Sequence, residues 1–203
     1  MLPYVKMKKT RQKEIIRVAE KLFMTNGFEN TTVSQIAQES GVVKGAFYYY
    51  FKSKDEILNY ILEKMLVEME DKVNVIINDE NLNIKEKIEK LVKDIINYGG
   101  FDKSVVEYMH KENDNKLHKM LLEKSAELIV PPMSALIQEG IEQKIFDTKN
   151  PELVAKIITQ FVGRTSEYLK YVEQGDVLYC NFTQAIGNFL QGILSLKDEK
   201  FIL

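Results

Sequence analysis

The segment Thr31 to Lys54, TTVSQIAQESGVVKGAFYYYFKSK, constrains the fold more than any other part of the chain. Thr32-Val33-Ser34-Gln35 has capping-box spacing: the threonine hydroxyl takes the amide of the third helical residue while Gln35 reaches back to the cap, so a helix is predicted to begin there. Val33, Ile36 and Ala37 give that helix one apolar face. Gly41, just past Ser40, tolerates the left-handed backbone that stops a helix. A second short helix is predicted from Lys44 to about Phe51, and Ser53-Lys54-Asp55-Glu56 is a further capping box that opens a third.

Two short helices joined by a tight glycine-containing turn have the layout of a helix-turn-helix. Phe47 and Phe51, one helical turn apart, share a face and pack inward. Lys44, Gly45, Tyr48, Tyr49 and Lys52 then face solvent, because three consecutive tyrosines cannot all point inward on one turn. Folding gains little from exposed tyrosines beside lysines, whereas a nucleic-acid partner uses both. Lysine attracts phosphate, and tyrosine offers a hydroxyl for phosphate and a ring for sugar or a thymine methyl. Gly45 lets a helix approach a groove closely. The alternative, a helix that only packs in a core, accounts for the phenylalanines and leaves the second face unexplained.

Thr31-Thr32-Val33, Ile36-Ala37, Gly41-Val42, Tyr48, Phe51, Lys54 and Leu58 resemble, at fixed spacings, the N-terminal domain of tetracycline-repressor-like (TetR family) transcriptional regulators. Two positions depart from that pattern: Ser40 stands where alanine is usual, and Val43 where serine or a similar cap is usual. The resemblance implies an all-α protein, with a three-helix DNA-binding head over residues 1–54 and a larger helical-bundle body over 55–203 that binds an effector and dimerises. The expected partners are a double-stranded palindromic operator, an unidentified small molecule and a second copy of the chain. In the head, Lys44, Gly45 and Ala46 are expected nearest the base edges. Tyr48, Tyr49 and Lys54 are expected on phosphates, joined by Thr32 and Ser34 at the helix N-terminus.

The net charge of −2 looks wrong for such a protein until it is divided. Residues 1–56 hold ten lysines and arginines against six acids, a net +4, and the remainder holds 18 against 24, a net −6. A basic head on an acidic body agrees with the motif. No apolar run is long enough for a membrane span. The N-terminal residues lack the apolar core of a secretion signal, so the cytoplasm is the expected location. The single cysteine, Cys180, excludes an intramolecular disulfide and a multi-cysteine zinc site.

Along the chain, residues 1–9 read as an unstructured arm. Ile15, Val18, Ala19, Leu22 and Phe23 mark an amphipathic helix from Thr10 to Asn26. A long helix follows the third cap and ends in the asparagine-rich stretch Asn74 to Asn83. Ile84, Ile88, Leu91, Val92 and Ile95 line another helix, expected to stop at Gly99-Gly100, with a shorter one over Asp102 to Lys111. From Lys116 to Gly140 the pattern is helical, with a kink or break expected at Pro131-Pro132. Pro151 is placed to start a helix that carries a wide apolar stripe from Val154 to Val172. Phe182, Ala185, Ile186, Phe189, Leu190, Ile193 and Leu194 form a second such stripe. Strand-type alternation, glycine-rich phosphate loops and internal repeats are absent from the sequence.

The resemblance places the dimer interface on these last two helices, with Phe161, Tyr168, Phe182, Ile186, Phe189, Leu190 and Ile193 as candidates. It places an effector cavity among the middle helices. Candidates to line it are Tyr98, Phe101, Tyr108, Met109, Met120, Met133, Phe161, Arg164 and Tyr168, a mostly apolar and adaptable set. Arg164 is the candidate for a charged effector, since it lies in an apolar helix. No cofactor, metal site or catalytic group is expected: His110 and His118 are separated by the phase-breaking Asn113-Asp114-Asn115, and Cys180 has no histidine nearby in sequence. The alternative to a ligand-responsive repressor is a helical dimerisation module without sequence-specific DNA binding.

Overall fold

The capping and periodic signals become helices. The computed structural model describes residues 3–97, 116–169, 172 and 175–195, and among them there are eight α-helices and no strand. These are α1 (Pro3–Asn26), α2 (Val33–Glu39), α3 (Lys44–Tyr50), α4 (Lys54–Ile77), α5 (Ile84–Ile96), α6 (Lys116–Glu142), α7 (Pro151–Thr165) and α8 (Val177–Ile193). The chain divides into two compact units, the first with described residues 3–66 and 116–121 and the second with 67–97, 122–169, 172 and 175–195.

In the first unit, α1 begins at Pro3 and not at Thr10, which corrects the expected unstructured arm. Proline suits a first helical position, where its missing N–H costs nothing, and the following lysines and methionine favour helix. Ile15, Val18, Ala19, Leu22 and Phe23 are buried as their spacing predicts. Gly27, at φ 87°, turns the chain out of α1. Phe28 then packs edge-on against Phe23 with centroids 5.1 Å apart. The buried Thr31 hydroxyl lies 2.7 Å from the Gly27 carbonyl and 3.2 Å from that of Leu22, fastening the turn to α1.

The predicted cap of α2 forms in both directions: the Gln35 amide donates to Thr32 Oγ1 (3.2 Å) and the Thr32 amide to Gln35 Oε1 (2.8 Å). Gly41 takes φ 67° after the last turn, as expected. Ser40 fits where alanine is usual because its buried hydroxyl donates back to the Ile36 carbonyl at 2.6 Å. Val43 precedes α3 in an extended conformation and supplies no side-chain cap.

The cap before α4 differs from the expected box. The Glu56 amide donates to Ser53 Oγ (3.2 Å), but the Glu56 carboxylate accepts from the amide of Lys52 (2.6 Å), one residue earlier than a regular box requires. Lys54 then closes the head. Its Nζ donates to the carbonyls of Phe28 (2.6 Å) and Glu29 (3.3 Å) and sits 4.3 Å from the centre of the Phe28 ring.

In the second unit, α4 ends at Ile77, inside the predicted stretch, and the Lys87 ammonium donates to the Ile77 carbonyl at 2.6 Å. Asn83 and Glu86 form a capping box for α5. That helix ends at Ile96 with Asn97 as its cap, before the glycines expected to stop it. Those glycines and the helix expected over Asp102 to Lys111 lie outside the described residues. Helix α6 is continuous through Pro131 and Pro132, so of the kink or break expected there the break does not occur. An interior proline costs about 3 kcal/mol, and burial of Ile129, Val130, Met133, Leu136 and Ile137 around the pair offsets it.

After α6, Lys144 takes φ 61° and the amides of Ile145 and Phe146 donate to the Gly140 carbonyl at 2.8 and 3.1 Å. Phe146 folds back onto Gly140 so closely that a Cβ there would lie 2.2 Å from the ring. Pro151 opens α7 as predicted, with Asn150 Oδ1 accepting the Leu153 amide (3.0 Å). The helical stripe expected to run to Val172 stops being α-helix at Thr165 and tightens into a 3₁₀ turn, Ser166–Leu169. There the Ser166 hydroxyl, fully buried, donates to the Gly163 carbonyl at 2.8 Å.

Two stability predictions follow from these contacts. Gly140→Ala forces the Phe146 ring out of place and lowers stability by about 1–3 kcal/mol in urea denaturation; an unchanged midpoint would mean the ring is free to move. Lys54→Met removes charge-assisted bonds to two carbonyls and lowers stability by about 1–2 kcal/mol. Equal stability of that variant would show that water satisfies those carbonyls as well.

Candidate nucleic-acid interface

Helix α3 is seven residues long and divides cleanly. Phe47 is fully buried and Phe51, which caps the helix, is nearly so, with ring centroids 6.1 Å apart. On the other side, Tyr48 and Tyr49 are 51% and 55% exposed, Lys44 and Gly45 are exposed, and Ala46 is half-buried. Tyr48 leans edge-on against Phe47 (5.5 Å) and Tyr49 against Tyr50 (5.1 Å), so each ring is braced by a neighbouring ring. A Cβ on Gly45 would meet nothing within 4 Å. The fold therefore does not require glycine there, although glycine inside a helix costs roughly 0.5–1 kcal/mol against alanine.

Thr32 and Ser34 are exposed at the start of α2, on the same unit. The Thr32 hydroxyl is engaged with Gln35. Lys54 is partly committed within the head: two of its three N–H donors go to the carbonyls of Phe28 and Glu29, which leaves one for a phosphate. The sequence signal for that clamp is weak, because the partners are backbone carbonyls more than twenty residues away. On α1, Arg17 donates to Glu14 at 2.6 and 3.1 Å, and this bond holds the Glu14 carboxyl below its ordinary pKa.

The body candidates separate under the structure. Tyr98, Phe101, Tyr108 and Met109 lie outside the described residues, as do His110 and the side chain of His118. Met120 is half-buried, while Met133 is fully buried in the core with Leu136, Ile137 and Ile158. Phe161, Arg164 and Tyr168 are all exposed, Tyr168 at 79%. Arg164 is thus on the exposed side of α7, one turn from Phe161.

Among the dimer candidates, Phe161 is exposed and stacks on Phe189 at 4.6 Å. Phe182, Phe189 and Ile193 are partly buried against the core. Ile186 and Leu190 are buried within the same chain, in one core cluster with Val154, Ala155, Ile158 and Val162 of α7. The outer surface instead carries Leu153, Ile157 and Phe161 on α7, and Val177 and Leu178 on α8, all exposed. The spacing of Leu153, Ile157 and Phe161 along one helix face was available in the sequence, but nothing there told which side of a wide stripe the core would take.

Among the described residues Thr159 Oγ1 is buried without a hydrogen-bond partner, whereas the hydroxyls of Thr165, Ser166 and Thr183 bond carbonyls of their own turns. Among the described residues no group of three or more histidine, cysteine or acidic side chains is placed to hold a metal ion. No described helix is long and apolar enough to cross a membrane.

Comparison with known proteins agrees with this geometry. Residues 15–61 match the profile of bacterial regulatory proteins of the tetR family. The HTH-type transcriptional regulator YfiR of Bacillus subtilis is 31% identical over 197 residues, covering 95% of this chain and 96% of that protein. Two solved structures share the fold. A TetR-family regulator from Pectobacterium atrosepticum superposes with TM-score 0.68 at 18% identity, over 96% of this chain and 98% of the other. The regulator FadR of Bacillus subtilis, solved with stearoyl-CoA, does so with TM-score 0.64 at 20% identity, over 90% and 97%. With YfiR matched along nearly its whole length and the helix-turn-helix in place, the chain belongs to the TetR family of transcriptional regulators, DNA-binding proteins with a helical body.

Proposed function

We propose that the protein is a homodimeric repressor that holds a two-fold symmetric operator through α3 and releases it when a small molecule binds the body. Residues 1–54 act as the DNA-binding part and 55–203 as the effector-binding and dimerising part. The observation that carries this is the outward face of α3, where Lys44, Gly45, Tyr48 and Tyr49 are exposed around a buried Phe47. Lys44, Gly45 and Ala46 face the base edges. Tyr48, Tyr49, Thr32, Ser34 and the remaining donor of Lys54 set the register on phosphates.

Dimerisation is supported by the exposed apolar residues Leu153, Ile157 and Phe161, spaced four apart along one face of α7, and by exposed Val177 and Leu178 at the start of α8. Two heads then meet half-sites one helical turn apart, about 34–36 Å, or a multiple of that. A dimer seated there blocks transcription by occupancy.

For the effector, the buried Thr159 hydroxyl, without a partner among the described residues and on a helix whose Ala155, Ile158 and Val162 join the apolar core, favours a mostly apolar molecule with one hydrogen-bonding group. FadR, which shares the fold, was solved with stearoyl-CoA; the long acyl chain of that ligand agrees with the apolar part of this class, whereas its polyanionic coenzyme A group does not. Such a molecule shifts operator occupancy only as far as it binds the two states of the body differently.

Fluorescence anisotropy with a labelled duplex across a salt series tests the DNA reading. Lys44→Ala lowers affinity for the preferred operator by about 1–3 kcal/mol and lowers affinity for arbitrary duplexes less, so that discrimination falls. Equal losses on every duplex would move Lys44 from the base edges to the phosphates. Phe161→Glu converts the protein to a monomer in light scattering without unfolding it, because that ring lies on the surface. A dimer that survives this change would place the interface elsewhere.

A further inference from the structure

We infer that Val43 is a thymine-reading residue: its side-chain methyl groups meet the 5-methyl group of a thymine in the major groove at the start of α3. The inference rests on the DNA-binding role of α3 and adds to it a base preference and the residue responsible.

Val43 occupies the cap position of α3, with φ −73° and ψ 149°, and its carbonyl accepts the amides of Ala46 (2.8 Å) and Phe47 (3.1 Å). No side-chain hydrogen bond caps the helix. Valine is among the poorest residues for this position, where serine, threonine, asparagine and aspartate stabilise a helix start. The protein gains nothing by burying it either, since Val43 is 75% exposed. A residue that serves neither cap nor core, at the head of a seven-residue helix, is accounted for by what the helix meets outside the protein.

The position decides what that is. The N-terminal residues of a recognition helix are those that reach base edges. In the major groove the apolar feature is the thymine methyl group, and side-chain methyls of this kind make apolar contact with it. An isopropyl group has nothing to offer a phosphate. The contact is made by side-chain carbon and owes nothing to the free amides of the helix end. Two further features favour it. Valine is stiff at χ1, so its methyls are held in one arrangement before binding. Two residues on, Gly45 leaves open space that lets the helix sit deep enough for a short side chain to touch a base.

The test uses the full chain. In vitro selection from random duplexes gives a preferred site, and each thymine in it is replaced singly by deoxyuridine, which removes only the 5-methyl group. Affinities are read by anisotropy for the wild type, Val43→Ala and Val43→Ser. For the wild type, one thymine per half-site is expected to show a three- to fivefold loss on replacement, about the value of one buried methyl group. Both variants are expected to bind the thymine and deoxyuridine duplexes equally. Val43→Ser, which restores a capping hydroxyl, should also melt no lower than the wild type, so its loss of discrimination cannot come from misfolding. The inference is overturned if the wild type ignores every replacement, or if either variant keeps the same sensitivity, which would assign the methyl contact to Ala46 or Tyr48. Specific but methyl-independent binding would overturn it while leaving the DNA-binding reading intact, and absence of duplex binding would sink both.

Discussion

Seven-residue helices do not hold themselves together in water, where helices shorter than about 12–15 residues are marginal even in favourable sequences. Both α2 and α3 are that short, so the DNA-facing surface depends on the burial of Phe47. That ring, fully enclosed and set beside Phe51, fixes the rotation of α3 about its axis. Once the rotation is fixed, Lys44, Tyr48 and Tyr49 have nowhere to go but outward. The rest of the head supports this one contact. Thr31 fastens the turn after α1, the Thr32–Gln35 pair starts α2, and Lys54 ties the beginning of α4 to the carbonyls beside Phe28.

The second unit solves a different problem. Its helices α7 and α8 are apolar around more of their circumference than one core can cover. The core takes Val154, Ala155, Ile158, Val162, Ile186 and Leu190, and leaves Leu153, Ile157, Phe161, Val177 and Leu178 at the surface. Burial is also strong enough to carry α6 through two consecutive prolines. Where a local rule and a packed core compete over a penalty of a few kcal/mol, the core prevails. The exception is instructive: α7 does give up its α-helical form at Ser166, where a buried hydroxyl finds the Gly163 carbonyl and tightens the turn.

The head was nearly all legible from residue order. Caps, glycine stops and the four-residue spacing of Phe47 and Phe51 are local rules, acting within one turn of helix, and they placed α2 and α3 to within a residue. Contacts between distant parts of the chain were not legible in this way. Lys54 looks like a free phosphate-binding cation in the sequence, yet its ammonium is held by carbonyls of a loop far earlier in the chain. Ile186 and Leu190 look like interface residues, since a wide apolar stripe does not say which side faces inward.

What the order of residues determined by itself is the all-helical class, the helix-turn-helix and the chemistry of its outer face, because those follow from capping, periodicity and the impossibility of burying three successive tyrosines. What tertiary structure alone decided is the fate of groups whose partners lie many turns away: the clamp at Lys54, the seat of Phe146 on Gly140, and the division of α7 and α8 between core and surface. The physical reason is range. A hydrogen bond to the next turn is written in the spacing of neighbours, whereas burial depends on which surfaces the folded chain brings together.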